Sequence, residues 1–295
     1  PVPLTADARR PAPEDPLHGL DRLNVLLLGS DAGPGRIGVR TDTIVLASVE
    51  VATGRTVLLS LPRNLQRAPF PPGSPAHRRF PHGFPDLLNA VWGYGTRHPE
   101  LTPGARRPGA ELLKAAVGQI LGLPVHHYLM VDMAGFAALV DAMGGLEVTV
   151  RERIKWGDGR VVFRPGRHRL NGEQALILAR SRTGSSDYAR MARQRCMIEW
   201  ILDQATPMTL ITRYLHLSRA AKRMVSTDIP HTTLPALLAL AEKVRWHPVR
   251  AVVFTPPLID SARPDYAFIR RTARAALTAG DRGAAGARRT AESCA

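Results

Sequence analysis

Leu23-Asn-Val-Leu-Leu-Leu-Gly-Ser-Asp31 and, after a glycine-rich crossover, Asp42-Thr-Ile-Val-Leu-Ala-Ser-Val-Glu50 are the stretches on which the fold turns. The first is a compact apolar run that stops at Gly-Ser-Asp, which predicts a buried strand entering a loop. Asp42–Glu50 predicts a second strand. Val51-Ala-Thr-Gly-Arg55 reads as a turn, and Thr56–Leu61 returns as a third strand, so a hairpin is expected. Downstream, Asp86–Tyr94 is a short helical pattern. Ala110–Leu121 is a longer one, with Leu112, Leu113, Ala116, Val117, Ile120 and Leu121 on one stripe. Val125–Val131 predicts a strand, Met133–Met143 a helix stopped by Gly144-Gly145, and Leu146–Val150 a further strand. This β-α-β order favours an α/β sheet with helices packed on it.

Outward from that centre the signals are of three kinds. Residues 1–22 are rich in Pro, Arg and Asp without periodicity and read as a linker or arm. Arg67–Gly83 is proline-rich and is expected to be a long irregular excursion, a class of loop that is usually functional or mobile. Asn171 is placed to cap a helix over Gly172–Ala179, and Asp187 a longer helix running to about Ala205. Leu210–Arg245 reads as mostly helical and Arg250–Thr255 as a strand. After about Ala279 no core pattern remains, which leaves 23–278 as the folded unit and 279–295 as a flexible tail.

Composition bounds the function. Of 295 residues 44% are hydrophobic and 22% charged, enough for a sizeable core and against wholesale disorder. The formal net charge of +15 points to an anionic partner such as phosphate esters, nucleic acid or an acidic membrane face. Nucleic acid is the weakest of these. Aromatic residues are only 5%, and no helix-turn-helix, zinc-finger or RNA-recognition pattern is present. No run approaches a membrane span. The chain opens on Pro1, so a signal peptide or membrane anchor is expected upstream. Cys196 and Cys294 do not make a disulfide framework, and the sequence leaves their pairing open. The histidines lack zinc-type spacing, and no serine or cysteine has the base motif of a catalytic triad.

Two constellations carry chemistry. Asp31 and Asp42 bracket the irregular crossover, so both carboxylates could reach one point above the strand ends. That suits a hard cation such as Mg²⁺, although a turn-stabilising Asp31 and a loop-capping Asp42 would show the same pattern. Further along, the segment Ala179–Arg195 holds Arg180, Arg182, Arg190, Arg193 and Arg195 against the single acid Asp187. Arginine forks match phosphate oxygens, so this density suggests a bound polyanion, with a solvated basic face as the plain alternative. Leu59-Ser-Leu-Pro-Arg63 delivers one more arginine from a strand end. Asn89, opening a helix, either orients a ligand or caps.

In this order the motifs resemble the LytR-CpsA-Psr family of cell-wall glycopolymer ligases. The matching stretches are Asn24–Asp31, Arg40–Thr43, Leu59–Arg63, Leu88–Ala90, Val140–Leu146, Leu170–Leu176, Ala179–Arg182 and Asp187–Gln194. The resemblance implies a three-layer α/β/α domain with a central mixed sheet flanked by helices. It implies a Mg²⁺-dependent phosphotransferase, with Mn²⁺ as the substitute metal, at the extracytoplasmic face of the bacterial membrane. Such an enzyme moves a glycan phosphate from a polyprenyl-pyrophosphate carrier to a wall acceptor such as peptidoglycan, and is tethered by an N-terminal helix that this chain does not contain. Carried over by position, Asp31 and Asp42 would hold the metal. Arg40, Arg63, Asn89, Arg180, Arg182, Arg190, Arg193 and Gln194 would bind the pyrophosphate, with Arg40, Arg63, Arg180 and Arg182 counted in the catalytic set. The helices Ala110–Leu121, Met133–Met143 and Met197–Leu202 would line a slot for the prenyl chain.

Two positions depart from the pattern. Asn64 stands where the family has Asp after Pro-Arg, and Leu87 where it has Lys. Asn64 can serve neither as general base nor as anionic ligand. These departures favour a competing reading, a non-catalytic binder of prenyl phosphates or anionic wall polymer, while the transferase site with water as acceptor would give a pyrophosphatase.

Overall fold

The computed structural model describes residues 17, 19–31, 40–156, 158–181, 187–204, 225–247 and 249–279. Its opening elements are β1 (Arg22–Ser30), β2 (Thr41–Glu50), β3 (Thr56–Leu61), α1 (Pro75–Arg79), α2 (Val91–Arg97), α3 (Pro108–Leu121) and β4 (His127–Val131). Then come α4 (Met133–Ala142), β5 (Leu146–Val150), β6 (Ile154–Lys155), β7 (Val161–Phe163) and β8 (Gly166–Leu170). The remainder is α5 (Gly172–Arg180), α6 (Asp187–Gln204), β9 (Val225–Thr227), α7 (Leu234–Val244), β10 (Arg250–Val253) and α8 (Tyr266–Thr278).

Six strands form one mixed sheet in the order β10-β3-β2-β1-β4-β9. β1, β3, β4 and β10 run in one direction, and β2 and β9 oppose them. The apolar runs of the sequence explain its burial on both faces. Leu26, Leu28, Ile44, Leu46, Leu59 and Leu61 pack under α2, α3 and α8. On the other face Val45, Ala47 and Leu58 pack under Ile198 of α6, and Leu23 packs under Leu240 of α7. The expected three layers are therefore present, α/β/α around a mixed sheet.

Local chemistry accounts for the ends of elements. Asn171 accepts from the Gln174 N–H while the Gln174 side chain accepts from the Asn171 N–H, a full capping box at the start of α5. Gly144 and Gly145 close α4 with φ of 82° and 99°. The β2–β3 turn is held by Glu50. Its carboxylate accepts from Arg55 Nε at 2.8 Å and Nη2 at 3.1 Å, and from the Thr53 hydroxyl. These bonds, with that from Arg55 the largest, hold the Glu50 carboxyl down at about 2 against an ordinary 4.5. A depressed carboxyl stabilises the fold above its unfolded value and loses that contribution as pH falls through the folded one. The stability deficit of Glu50→Gln relative to the parent chain should thus be full above pH 4.5 and shrink towards pH 2, as read by denaturant titration across that window. A pH-independent deficit would refute the link.

Four readings of the sequence need correction. Leu146–Val150 is a strand but not part of the main sheet: it pairs with β8 in a separate ribbon, over a second core of Val140, Leu146, Val148, Leu170 and Met197. Its alternation of buried and exposed residues is the reason, since a strand inside a two-faced sheet would be covered on both sides. Within the expected helical stretch Leu210–Arg245, residues 205–224 lie outside the described ones, and Val225–Thr227 is a strand at the sheet edge. Asp228 secures that edge by accepting from the Tyr128 N–H and from Lys114 Nζ, both across the sheet end. The excursion Arg67–Gly83 is not wholly irregular. It carries α1 and anchors Phe70 in the core. Finally, α8 has no counterpart in the sequence reading, although Asp265 caps it and Ile269 and Ala273 form its buried stripe.

Candidate active site

The four parallel strands end on the same side of the sheet, the edge at which open α/β sheets bind ligands. There β1 and β2 fall out of simple register. Gly29 pairs with Thr43, but Ser30 pairs with Thr41, so Asp42 is an extra residue on β2. A bulge of this kind re-aims a side chain. Asp42 Oδ1 accepts from Arg63 Nη1 at 2.9 Å and from Asn89 Nδ2 at 3.3 Å. Both bonds land on one carboxylate oxygen. Among the described residues nothing engages Oδ2.

The donors are themselves fixed by backbone. The Asn89 N–H donates to the Arg63 carbonyl at 3.0 Å and the Leu88 N–H to the Leu65 carbonyl at 2.9 Å. Asn89 is 3% exposed, whereas Arg63 and Asp42 keep about a quarter of their side chains open. Asn89 therefore orients Asp42, and the single turn Leu88–Ala90 is its mount. Asp31 sits at the neck of the crossover. Its N–H donates to the Arg40 carbonyl, and the Arg40 N–H donates back to Asp31 Oδ1, each at 3.1 Å. Arg40 is exposed, and residues 32–39 lie outside the described ones.

Two hydroxyls join this centre that sequence reading missed. Ser30 and Thr41, partners across the ladder and each next to an aspartate, are 5% and 0% exposed. Their oxygens have no hydrogen-bond partner among the described residues. Only the register reveals them, because neither residue belongs to a charged pattern. Asn64 lies beside Arg63 with its Oδ1 buried and likewise without a partner among the described residues.

The start of α6 is tied to the chain just beyond Arg63. The Tyr188 hydroxyl at the start of α6 meets Ser261 Oγ at 3.4 Å, and the Ser261 carbonyl accepts from Gln66 three residues beyond Arg63. From there α6 descends over β2. Its arginines are no solvated face, since Arg190, Arg193 and Arg195 are 5–6% exposed. Arg193 donates to the Ser181 carbonyl at 2.6 Å and to Glu152 at 3.4 Å, and burial lowers its pKa from the ordinary arginine value. Arg195 pairs with Glu199 at 2.8 Å. Both side chains thus act on the protein itself. Gln194 Oε1 is buried without a partner among the described residues, and Arg180 is exposed at the end of α5. Arg182 lies outside the described residues, as does Cys294. Cys196 is buried and disulfide-bonded.

No group of three or more His, Cys, Asp or Glu side chains converges among the described residues. Asp31 and Asp42 offer carboxylate oxygens, and the buried Ser30 and Thr41 hydroxyls adjoin them in the chain, so the donor chemistry available here is oxygen only. That fits Mg²⁺, which takes one or two carboxylates and completes its shell with water and phosphate oxygens. It does not suit a metal that prefers nitrogen or sulfur. On the side facing the sheet, Leu112, Leu113, Ala116, Val117, Ile120 and Leu121 of α3 are all fully buried. A pocket of about 550 Å³, open to solvent, lies against the outer side of α3, beside Lys114, Gly118 and Leu123.

An α/β/α sandwich with paired carboxylates and arginines at the carboxyl edge of its strands defines the class. The LytR-CpsA-Psr family profile matches residues 6–255, and the chain belongs to that family. It is 31% identical over 217 residues to the polyisoprenyl-teichoic acid–peptidoglycan teichoic acid transferase TagU of Enterococcus faecalis, covering 72% of this chain and 63% of that protein. The chain thus spans about three fifths of the length of such curated relatives. In fold it is similar to Bacillus subtilis TagV (TM-score 0.63, 21% identity, 88% and 98% of the two chains). It is also similar to TagT bound to LIIa-WTA (TM-score 0.62, 22% identity, 92% and 94%).

Proposed function

We propose that this chain transfers a glycan phosphate from a polyprenyl-pyrophosphate carrier to a hydroxyl of a cell-wall acceptor such as peptidoglycan, outside the bacterial membrane. The observation that carries the reading is the bulge at Asp42, which aims one carboxylate at Arg63 beside the neck formed by Asp31 and Arg40. The name of the Enterococcus faecalis relative supports the donor and acceptor classes.

The acceptor oxygen attacks the glycan-bearing phosphorus, the bridging P–O bond breaks, and polyprenyl phosphate leaves with the new negative charge. The hydroxyl proton passes to solvent or to the departing phosphate. Mg²⁺ held by Asp31 and Asp42, or Mn²⁺ in its place, would supply charge neutralisation at the two phosphates. The chain's own part is placement. Asp42 and Asn89 hold the Arg63 guanidinium in one orientation, so it stabilises the leaving charge without reorganising. Arg40 and Arg180 are exposed at their segments' ends and free to approach phosphate oxygens.

Incubating the chain with polyprenyl-pyrophosphate glycan, Mg²⁺ and peptidoglycan fragments should release polyprenyl phosphate and yield a phosphodiester-linked product, both lost on chelation. Release without any acceptor product would instead make the protein a pyrophosphatase. Tight binding with no release would make it a carrier or binder, a reading that the uncharged Asn64 beside Arg63 favours.

A further inference from the structure

We propose that the outer face of the Arg67–Gly83 excursion, together with the end of α2, binds the phosphodiester-linked polyanionic chain of the donor beyond its lipid-linked end. This rests on the transfer reading and names the part of the substrate that the centre itself does not reach. The excursion leaves the fold four residues after Arg63 and returns six before Asn89, the two residues that grip Asp42. Both its ends are therefore close along the chain to the residues of the centre, and they are joined to each other by the Phe84 N–H donating to the Ala68 carbonyl at 2.9 Å.

Its base is rigid. The Phe80 ring lies 5.5 Å from both Phe84 and Tyr94, and Tyr94 stacks on His98 at 4.1 Å. Phe70 and Phe84 are buried beneath. This ladder locks α1 to the end of α2, and with them His77, Arg78, Arg79, Arg97 and His98. Arg78 is held by the Gly73 carbonyl, and the Arg79 guanidinium lies 6.0 Å from the centre of the Phe80 ring. Guanidinium groups fixed in this way lose little freedom on binding.

Arg78, Arg79 and Arg97 are exposed, and among the described residues no carboxylate lies within ion-pair distance of them. The nearby Glu100 is taken by His98 Nδ1 at 2.9 Å. Arg78 and Arg79 are held in place and Arg97 stands beside them, with Glu100, whose carboxyl is lowered chiefly by its own backbone N–H and partly by Arg79, as the acid near them; three guanidinium groups on one mount match repeated phosphate groups. A bilayer is the poorer occupant. Among the described residues the exposed large apolar side chains are Val161, Trp246 and Leu258, none of them in the excursion or α2, so this face offers nothing to enter lipid.

The test compares the full chain with R78E/R79E/R97E on two donors. One is polyprenyl pyrophosphate bearing a short uncharged sugar; the other is the same carrier extended with poly(glycerol phosphate). The variant should turn over the short donor at the parent rate and lose about tenfold in kcat/KM on the long one, through KM. Free poly(glycerol phosphate) should bind the parent chain and bind the variant about tenfold more weakly. Equal losses on both donors would overturn the proposal, as would no polymer binding by the parent. So would unchanged polymer binding by a variant that has lost only phosphatidylglycerol vesicles. Should neither donor react, the transfer reading fails by itself, and the binding of free polymer still decides this one.

Discussion

On the transfer reading, replacing Asp42 with alanine should lower turnover of the lipid-linked donor by about 10³-fold while the protein stays folded. Three effects combine. The change removes one of the two carboxylates proposed to hold the metal. It releases Arg63, whose 2.9 Å bond to Asp42 sets its direction, and it leaves Asn89 Nδ2 without its acceptor. Asp42→Asn separates these terms. The amide oxygen can still accept from Arg63 and Asn89, so arginine orientation survives, but the anionic ligand is lost. Asp42→Asn should therefore shift the Mg²⁺ concentration needed for half-maximal rate upward, whereas Asp42→Ala should also raise KM for the donor. Asp42→Asn keeps both bonds, so its thermal unfolding should change little, whereas Asp42→Ala leaves the buried Asn89 amide unpaired and should lower the melting temperature by a few degrees at most. Steady-state kinetics at a series of Mg²⁺ concentrations provide the check. Parent-like rates in both Asp31→Ala and Asp42→Ala would remove the proposed centre.

Replacing Glu199 with alanine should destabilise the fold by about 3–5 kcal/mol. Arg195 and Glu199 lie one turn apart on α6, their side chains 7% and 8% exposed and 2.8 Å from each other. Burial pushes the Glu199 carboxyl above its ordinary range, and Arg195 pulls it back. Taking away the acid alone leaves the cost of burying the guanidinium opposite an alanine. Replacing both, as in R195M/E199L, removes both desolvation costs and should recover most of the loss. Denaturant unfolding of the two single variants and the double variant would show this as a large coupling energy. Additive losses, or a Glu199→Ala cost below about 1 kcal/mol, would show that the pair contributes little. The pair also sets apart two roles within one arginine-rich segment. Arg193 and Arg195 hold α6 in place, and Arg180 stays open at the end of α5.

Much of the architecture was legible because strands and helices announce themselves through local periodicity. β1 to β3, the caps at Asn171 and Gly144-Gly145, and the stripe of α3 follow from neighbours within a few residues. Leu146–Val150 was legible as a strand but not in its sheet, because pairing partners are chosen across the chain. The helix Tyr266–Thr278 had its cap and stripe in plain view, although arginines and alanines dilute its apolar pattern. At the site, Asp31, Asp42, Arg63 and Asn89 stood out by residue type and motif. Ser30 and Thr41 did not.

The chain's own order of residues determined the strand and helix segments, the pair of acids around the crossover and the concentration of arginine downstream. Each of these is a property of residues close together along the backbone. Tertiary structure alone decided that Asp42 is the bulged residue facing Arg63, that Asn89 aims it, and that Arg193 and Arg195 are internal ties. Those outcomes depend on ladder register and on burial against distant segments, and the free energy of a charge is set by what surrounds it in space.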